Sequence, residues 1–302
     1  MAVAKTPVVR TGERESKEQG SHEMQADRHK VHITRIRDSL AGGLHSTLLP
    51  VLPDFSFPEF NRISSFTFTD MPDSLYYPAP RTNDFFSYGS YCSPKSGLPI
   101  EIRDFIENPL SRGTIVVAFG TLVSWNLSPP EKLSAFVQAF DNLTEYRIIW
   151  SYKGRPVKVA DHVLMSEWIP QNELLLHEKT VLFISHGGLK SVKEAACSGT
   201  PSLFVPMFAE QMRNAWLAKN KGFAEIVNKF LITRSYLEEK IRGMLNKHEL
   251  KEKGKAMKER LLDRPLSTLD HASFLVNRTQ LLDYIKYRYN NNYTYDYANY
   301  IM

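Results

Sequence analysis

The feature that most constrains the fold is an uninterrupted apolar run from Ile115 to Phe119. Its β-branched residues favour a strand, and an unbroken run is typical of a strand buried on both faces of a parallel sheet. Later apolar runs lie at 146–152, 162–168, 180–185 and 201–206, and most of them are separated by segments with helical spacing. This alternation predicts an α/β fold with a doubly wound parallel sheet and right-handed crossovers.

The segments between and after these strands have apolar residues at helical spacing. Ser128 stands before two prolines and is predicted to cap the first long helix. Gly199 and Gly222 are predicted to end two others. The predicted helices span 98–109, 128–143, 172–178, 189–199, 210–222, 232–245, 248–262 and 268–288, and 224–228 is a further short strand.

The chain divides into four predicted parts. Residues 1–60 are polar and without periodicity, and we interpret them as a disordered or irregular segment. Residues 61–112, with aromatic pieces broken by prolines, are predicted to be a linker and interdomain segment, and 113–288 the ligand-binding domain. The Tyr- and Asn-rich tail 289–302 is interpreted as a frayed low-complexity end, with a stacking surface as the alternative.

Charge and apolar content exclude some classes of protein. The formal net charge of +5 is mild for 302 residues, and the basic residues are scattered, so no nucleic-acid partner is expected. Neither a secretory signal nor an apolar run of membrane-spanning length is recognised, and the chain as written is predicted to be soluble. Of the two cysteines, Cys197 is interpreted as a small buried apolar residue, with a Cys92–Cys197 bridge as the alternative.

A predicted strand, the tripeptide His186-Gly187-Gly188 and a predicted helix follow one another directly. In open parallel sheets, ligands bind beyond the carboxyl ends of the strands, and the first turn of the following helix favours an anion. Glycines allow a phosphate to approach the backbone closely, and Lys190 and Ser191 add a charge and a hydroxyl. These residues are therefore candidate phosphate ligands. The alternative is a glycine-rich turn with an incidental histidine.

Glu194 lies farther along the same predicted helix, next to Ala195 and Ala196. A carboxylate in such an apolar helix usually faces a polar cavity or a partner, and one carboxylate can bind both hydroxyls of a ribose. Glu194 is therefore a candidate ribose ligand. The alternative is an exposed residue paired with Lys190 at the spacing of one helical turn.

Four further polar or aromatic residues follow predicted strands. Trp168 could stack on a flat heterocycle, and Gln171 could bond to the edge of that ring or to a ribose hydroxyl. Glu210 and Gln211 could bind several sugar hydroxyls. The alternatives are a core tryptophan for Trp168 and, for Glu210, a residue that satisfies a helix amino terminus. All four follow neighbouring strands, so the sequence favours a single site.

Residues 166–211 resemble the signature of the UDP-glycosyltransferase family, in particular that of its animal UDP-glucuronosyltransferase branch and the nematode-like relatives of that branch. The family pattern has Trp-x-x-Gln, then His-x-Gly with Ser and Glu along the next helix, then Asp or Glu followed by Gln. Residues 68–92 and 113–124 resemble the family's interdomain segment and the first strand and loop of its donor domain. The positions that match the signature are Trp168, Gln171, His186, Gly188, Ser191, Glu194, Glu210 and Gln211.

The resemblance implies a Rossmann-like domain, the C-terminal half of a GT-B glycosyltransferase fold, with 113–288 as the donor-binding domain. It implies that Trp168 stacks on uracil, that Glu194 binds the ribose, and that Glu210 with Gln211 binds the transferred sugar. The implied diphosphate ligands are Thr121, His186, Gly188 and Ser191. Lys190 departs from the family, since many relatives carry a small or amide residue there.

The implied reaction transfers a sugar from a UDP-sugar to a small lipophilic acceptor, with inversion and without metal or cofactor. The catalytic base belongs to the family's N-terminal acceptor domain, which residues 1–60 are too short to form, so no catalytic residue is assigned. The main alternative is a nucleotide-sugar-binding module without turnover, and a UDP-sugar epimerase is a third hypothesis. An acceptor-domain partner or a dimer is left open, as is the compartment, although family members usually reside in the endoplasmic-reticulum membrane.

Overall fold

The computed structural model describes residues 66–78 and 80–289, with side chains as far as residue 279. The predicted segment 1–60 and nearly all of the tail 289–302 lie outside this range. The strands are β1 (Thr67–Thr69), β2 (Phe85–Ser87), β3 (Thr114–Ala118), β4 (Arg147–Ser151), β5 (Val163–Ser166), β6 (Thr180–Ser185), β7 (Ser202–Phe204) and β8 (Ala224–Ile226). Six of them form a wholly parallel sheet, in the order β5-β4-β3-β6-β7-β8.

The strand order confirms the predicted doubly wound sheet. The chain moves outward from β3 through β4 to β5, then returns to the other side of β3 and continues from β6 to β8. This is the order of dinucleotide-binding domains, whose ligands lie where the order reverses. Here that point is between the carboxyl ends of β3 and β6.

Helices cover both faces of the sheet. They are α1 (Ile100–Ile106), α2 (Pro130–Asp141), α3 (Gln171–Leu175), α4 (Leu189–Ser198), α5 (Gln211–Asn220), α6 (Arg234–Leu245), α7 (His248–Leu262) and α8 (Thr268–Tyr289). Alternate residues of β3 explain its unbroken apolar run: Ile115 and Val117 pack on one face with α2 and α6, and Val116 and Ala118 on the other with α3, α4 and α5. All five residues of β3 are buried.

The predicted cap of α2 is wrong. Pro129, not Ser128, occupies the N-cap position, and no side chain in the described part of the chain caps the helix. Pro130 sits at the first helical position, where its fixed φ suits the helix and its missing N–H costs nothing. The hydroxyl of Ser128 donates instead to the carbonyl of Pro129, at 3.4 Å.

Residues 66–92 pair and pack in a way that the sequence did not predict. Strands β1 and β2 form a separate parallel pair. Nearby, Lys193 Nζ of α4 lies 2.6 Å from Asp70 Oδ1 and 3.3 Å from the ring centre of Tyr91. Cys92 and Cys197 form a disulfide, which was the alternative for Cys197, and the residue is buried as predicted. We call Asp70, Tyr91, Cys92, Lys193 and Cys197 the α4 clasp.

None of the helices within the described residues is both long and apolar enough to cross a membrane.

Candidate functional site

The site lies at the reversal point of the sheet, where Gly120 follows β3 and His186 follows β6. A Cβ atom on Gly120 would lie 2.9 Å from Cε1 of His186, and one on Gly188 would lie 2.5 Å from its Nε2. Both distances are shorter than a carbon side chain tolerates. The imidazole therefore occupies a slot that only glycines at these two positions leave open.

Helix α4 presents its amino terminus at the same place. Gly187 has a φ of +82°, which favours glycine, and Gly188 is the N-cap. None of the described side chains caps this end, and the first helical bond runs from the Val192 N–H to the Gly188 carbonyl. The amides of the first turn therefore have no helical acceptor, and the positive end of the helix dipole is available to an anion. Of the first-turn side chains, Lys190 is exposed and Ser191 is buried.

His186 is half-buried, and this burial lowers the pKa of its imidazole, while the nearby carboxylate of Glu210 acts in the opposite direction. The net shift is downward, so the neutral form of the ring is favoured in the chain without ligand. Its Nδ1 lies 3.3 Å from the Ser185 hydroxyl. The charge of Glu210 thus acts on the imidazole of His186, although the two residues follow different strands.

Glu194 faces Gln171 across the interval between α4 and α3. The Nε2 amide of Gln171 donates a hydrogen bond to Oε2 of Glu194. Burial raises the pKa of the Glu194 carboxyl, and the bond from Gln171 opposes that shift. The alternative of an exposed Glu194 is wrong, because the residue is half-buried and bonded to another helix.

Trp168 stands at the end of β5 with its indole in solvent. The residue is 80% exposed, so the alternative of a core tryptophan is wrong. The turn that presents it is fixed by Ser166, whose hydroxyl donates to the Trp168 carbonyl at 2.7 Å. An exposed indole held by its own backbone is suited to stacking on a planar ligand.

Glu210 and Gln211 take different positions at the start of α5. Glu210 is the N-cap residue and is exposed. Gln211 is buried, and its Oε1 accepts hydrogen bonds from the amides of Met207 and Phe208, at 2.8 and 3.1 Å. Gln211 therefore shapes the loop after β7, where Ala209 has a φ of +53°. Its contact with a sugar stays a prediction, as does the contact of the exposed Thr121 with phosphate.

Comparison with known proteins identifies the family of this chain. The profile described as "UDP-glucoronosyl and UDP-glucosyl transferase" matches residues 67–279. The chain belongs to this family. Human UDP-glucuronosyltransferase 2A2 is 35% identical over 202 residues, which are 66% of this chain and 37% of that protein. Human UDP-glucuronosyltransferase 1A9 is 33% identical over 204 residues, 67% of this chain and 38% of that protein. The chain thus spans less than two fifths of these family members.

Solved structures show the same fold as this UDP-glycosyltransferase family chain. The glycotransferase of kitacinnamycin has a TM-score of 0.63 at 18% identity, covering 85% of this chain and 67% of its own. CalG4, the calicheamicin glycosyltransferase, has a TM-score of 0.56 at 20% identity, covering 78% and 58%. These similarities confirm the predicted Rossmann-like fold of GT-B type.

Sequence reasoning missed two residues that shape this site. Gly120 makes room for the His186 ring. The feature of the sequence that could have identified it is its position directly after a predicted buried strand. Lys193 anchors α4 one residue before Glu194, through Asp70. Its position in a helix otherwise rich in small apolar residues gave no indication of its partner.

Proposed function

We propose that this chain binds a UDP-sugar at the carboxyl edge of its sheet and supplies the donor half of a UDP-glycosyltransferase. The observation that carries the proposal is the uncapped, glycine-lined amino terminus of α4 with Glu194 on the same helix. A helix amino terminus suited to an anion and a hydrogen-bonded carboxylate on the same helix support the proposal. A nucleoside diphosphate needs both, one for its phosphates and one for its ribose.

The diphosphate would bind at the first turn of α4. The free amides there and the imidazole of His186 would donate hydrogen bonds, and the exposed ammonium of Lys190 would add a positive charge. The Ser191 hydroxyl is close enough in sequence to contribute from the same turn. Thr121 would reach the phosphates from the loop after β3.

The nucleoside would extend from the diphosphate toward β5. Uracil would stack on the exposed indole of Trp168, which gains contact area at little cost because the side chain is already in solvent. The ribose hydroxyls would donate to the carboxylate of Glu194, and Gln171 holds that carboxylate in place. The sugar would lie toward Glu210 and Gln211 at the start of α5.

In the transfer step, an acceptor hydroxyl attacks C1 of the sugar from the side opposite UDP. The bond from C1 to the diphosphate oxygen breaks, its electron pair leaves with UDP, and the hydroxyl proton goes to a base. Negative charge that develops on the diphosphate is stabilised by the amides of α4 and by His186. We assign the base to no described residue, in keeping with the family's placement of it in the acceptor domain.

Calorimetric titration of UDP into the purified chain tests the proposal, with GDP as the control. We expect saturable UDP binding that is at least about tenfold tighter than GDP binding. Circular dichroism confirms that the chain is folded. A folded chain that binds neither nucleotide would overturn the donor-binding proposal, and UDP binding without sugar transfer to a phenol would leave a binding module.

A further inference from the structure

Next to the donor site, the carboxyl edge of the sheet carries an apolar pocket of about 420 Å³. The loops after β3, β7 and β8 form its walls, and α2 closes one side. Its main lining residues are Leu122, Trp125, Leu127, Phe136, Phe208 and Phe230. Pockets for small organic ligands have about this volume and this apolar character.

The pocket shares two loops with the candidate donor site. Leu122 directly follows Thr121 in the loop after β3, and Phe208 precedes Glu210 in the loop after β7. A ligand in the pocket would therefore lie beside the position proposed for the transferred sugar. This adjacency argues that the pocket and the donor site serve one reaction.

The floor of the pocket is rigid. Trp125 and Phe136 are buried, and their rings pack edge to face at 5.2 Å between centres. Trp125 also packs edge to face on Trp150, at 4.9 Å, within a larger aromatic cluster. A floor fixed in this way is formed before any ligand arrives, which lowers the cost of binding.

The rim is apolar and open to solvent. Leu122 is 80% exposed, Leu127 85% and Phe230 76%. The two lysines that line the pocket are bound to backbone carbonyls, since Lys132 donates to Phe230 and Ile232, at 3.1 and 2.9 Å, and Lys229 donates to Met207. These ammonium groups hold the loops together, so the lining suits an uncharged ligand. Exposed apolar patches of this kind mark binding surfaces.

We propose that this pocket is an acceptor subsite, which binds the flat, uncharged, lipophilic part of the acceptor beside the donor sugar. The inference rests on the proposed function. If it is correct, the donor domain contributes to binding the acceptor as well as the UDP-sugar. The reacting hydroxyl of the acceptor would point from the pocket toward the sugar at Glu210.

The test is equilibrium binding of 1-naphthol to the UDP-saturated chain. Leu122→Gln and Phe230→Gln remove apolar rim contacts at exposed positions, and Leu110→Gln is the control, because Leu110 is 89% exposed and precedes β3 at the opposite edge of the sheet. We expect saturable naphthol binding that is weakened about tenfold by either rim variant and unchanged in the control. UDP affinity should be the same in all four proteins.

The outcomes separate the two proposals. UDP binding without saturable naphthol binding overturns the acceptor subsite and leaves the donor site standing, as expected if another protein domain covers the pocket. Equal naphthol affinity in all variants also overturns it, because the ligand then binds elsewhere. Failure of a folded chain to bind UDP overturns the proposed function, and with it this inference.

Discussion

The side-chain amide of Gln171, the first residue of α3, donates a hydrogen bond to the carboxylate of Glu194 in the middle of α4. The two residues are 23 positions apart in the chain and belong to different helices. The bond orients a half-buried carboxylate in the absence of ligand. A ribose would therefore meet an acceptor that is already in place, so little ordering accompanies binding.

Replacing Glu194 with Gln should weaken UDP binding by about tenfold or more, because hydrogen bonds to a charged acceptor are stronger than those to a neutral amide. The affinity for 2′,3′-dideoxy-UDP should change little, since that ligand lacks the two hydroxyls. Calorimetry with both ligands measures the difference. Glu239→Gln is the control, because that carboxylate is exposed on α6. An equal loss for both ligands would contradict the ribose assignment.

Trp168→Ala should weaken UDP binding by about tenfold or more, the usual effect of removing a base-stacking side chain. Its thermal unfolding should be almost unchanged, because the side chain is 80% exposed. Trp216→Ala provides the control, since Trp216 is a second exposed tryptophan, on α5. If both variants bind UDP like the parent chain, Trp168 does not stack on the base.

Gly188→Ala should act through His186. The added methyl group would lie 2.5 Å from the imidazole Nε2, so the ring must move out of its slot. We expect the single variants Gly188→Ala and His186→Ala to lose similar UDP affinity, and the double variant to lose no more than either. Titrations of the three proteins measure this coupling. Additive losses would show that the glycine acts independently of the histidine.

UDP affinity should depend on the protonation of His186. Burial lowers the pKa of this imidazole in the free chain, and a bound diphosphate would raise it by favouring the charged ring. UDP binding should then be accompanied by the uptake of a proton. The contribution of His186 to UDP affinity should therefore increase as the pH falls from about 8 to about 6. Titrations in buffers of different ionisation enthalpy measure the uptake. His186→Gln should abolish this component, whereas the titration of UDP itself, near pH 6, stays the same in both proteins.

Asp70→Asn should destabilise the fold more than Lys193→Met. The Lys193 side chain is only 9% exposed and lies 2.6 Å from Asp70, so neutralising Asp70 leaves a buried ammonium without its counter-charge. Such losses amount to about 3 kcal/mol, while removing the charge itself with an apolar side chain of similar volume costs less. Urea unfolding at neutral pH measures both variants. A smaller loss for Asp70→Asn would contradict this account of the α4 clasp.

The strands of the main sheet could be predicted from the sequence because they are buried on both faces. β3 and β6 agree with their apolar runs, and the placement of the candidate residues at strand ends followed from the parallel order. β1 and β2 could not be predicted, since each has three residues and no alternation of burial. The Cys92–Cys197 bridge joins positions 105 apart, a separation that carries no local signal.

The hydrogen-bond partners of the site's side chains could not be predicted from the sequence either. The sequence predicts a sugar contact for Gln211, and this stays a prediction; what the sequence does not indicate is that its Oε1 accepts hydrogen bonds from the amides of Met207 and Phe208. Glu194 was weighed against a pairing with Lys190, and its actual partner is Gln171. The Gln211 contact depends on the fold of the single loop after β7. The Glu194 contact depends on how α3 packs beside α4, which residue spacing along one helix does not specify.

The bond between Cys92 and Cys197 closes the backbone into a covalent ring. The ring contains strands β3 to β6 and helices α1 to α3, with all but the last residue of α4. A protease cut inside the ring leaves the two pieces joined, whereas a cut beyond Gly199 releases the carboxyl-terminal piece. Denaturing electrophoresis with and without a thiol therefore distinguishes a cut inside the ring, which includes β5 where uracil is proposed to bind, from a cut in the later part of the chain that contains β7 and β8.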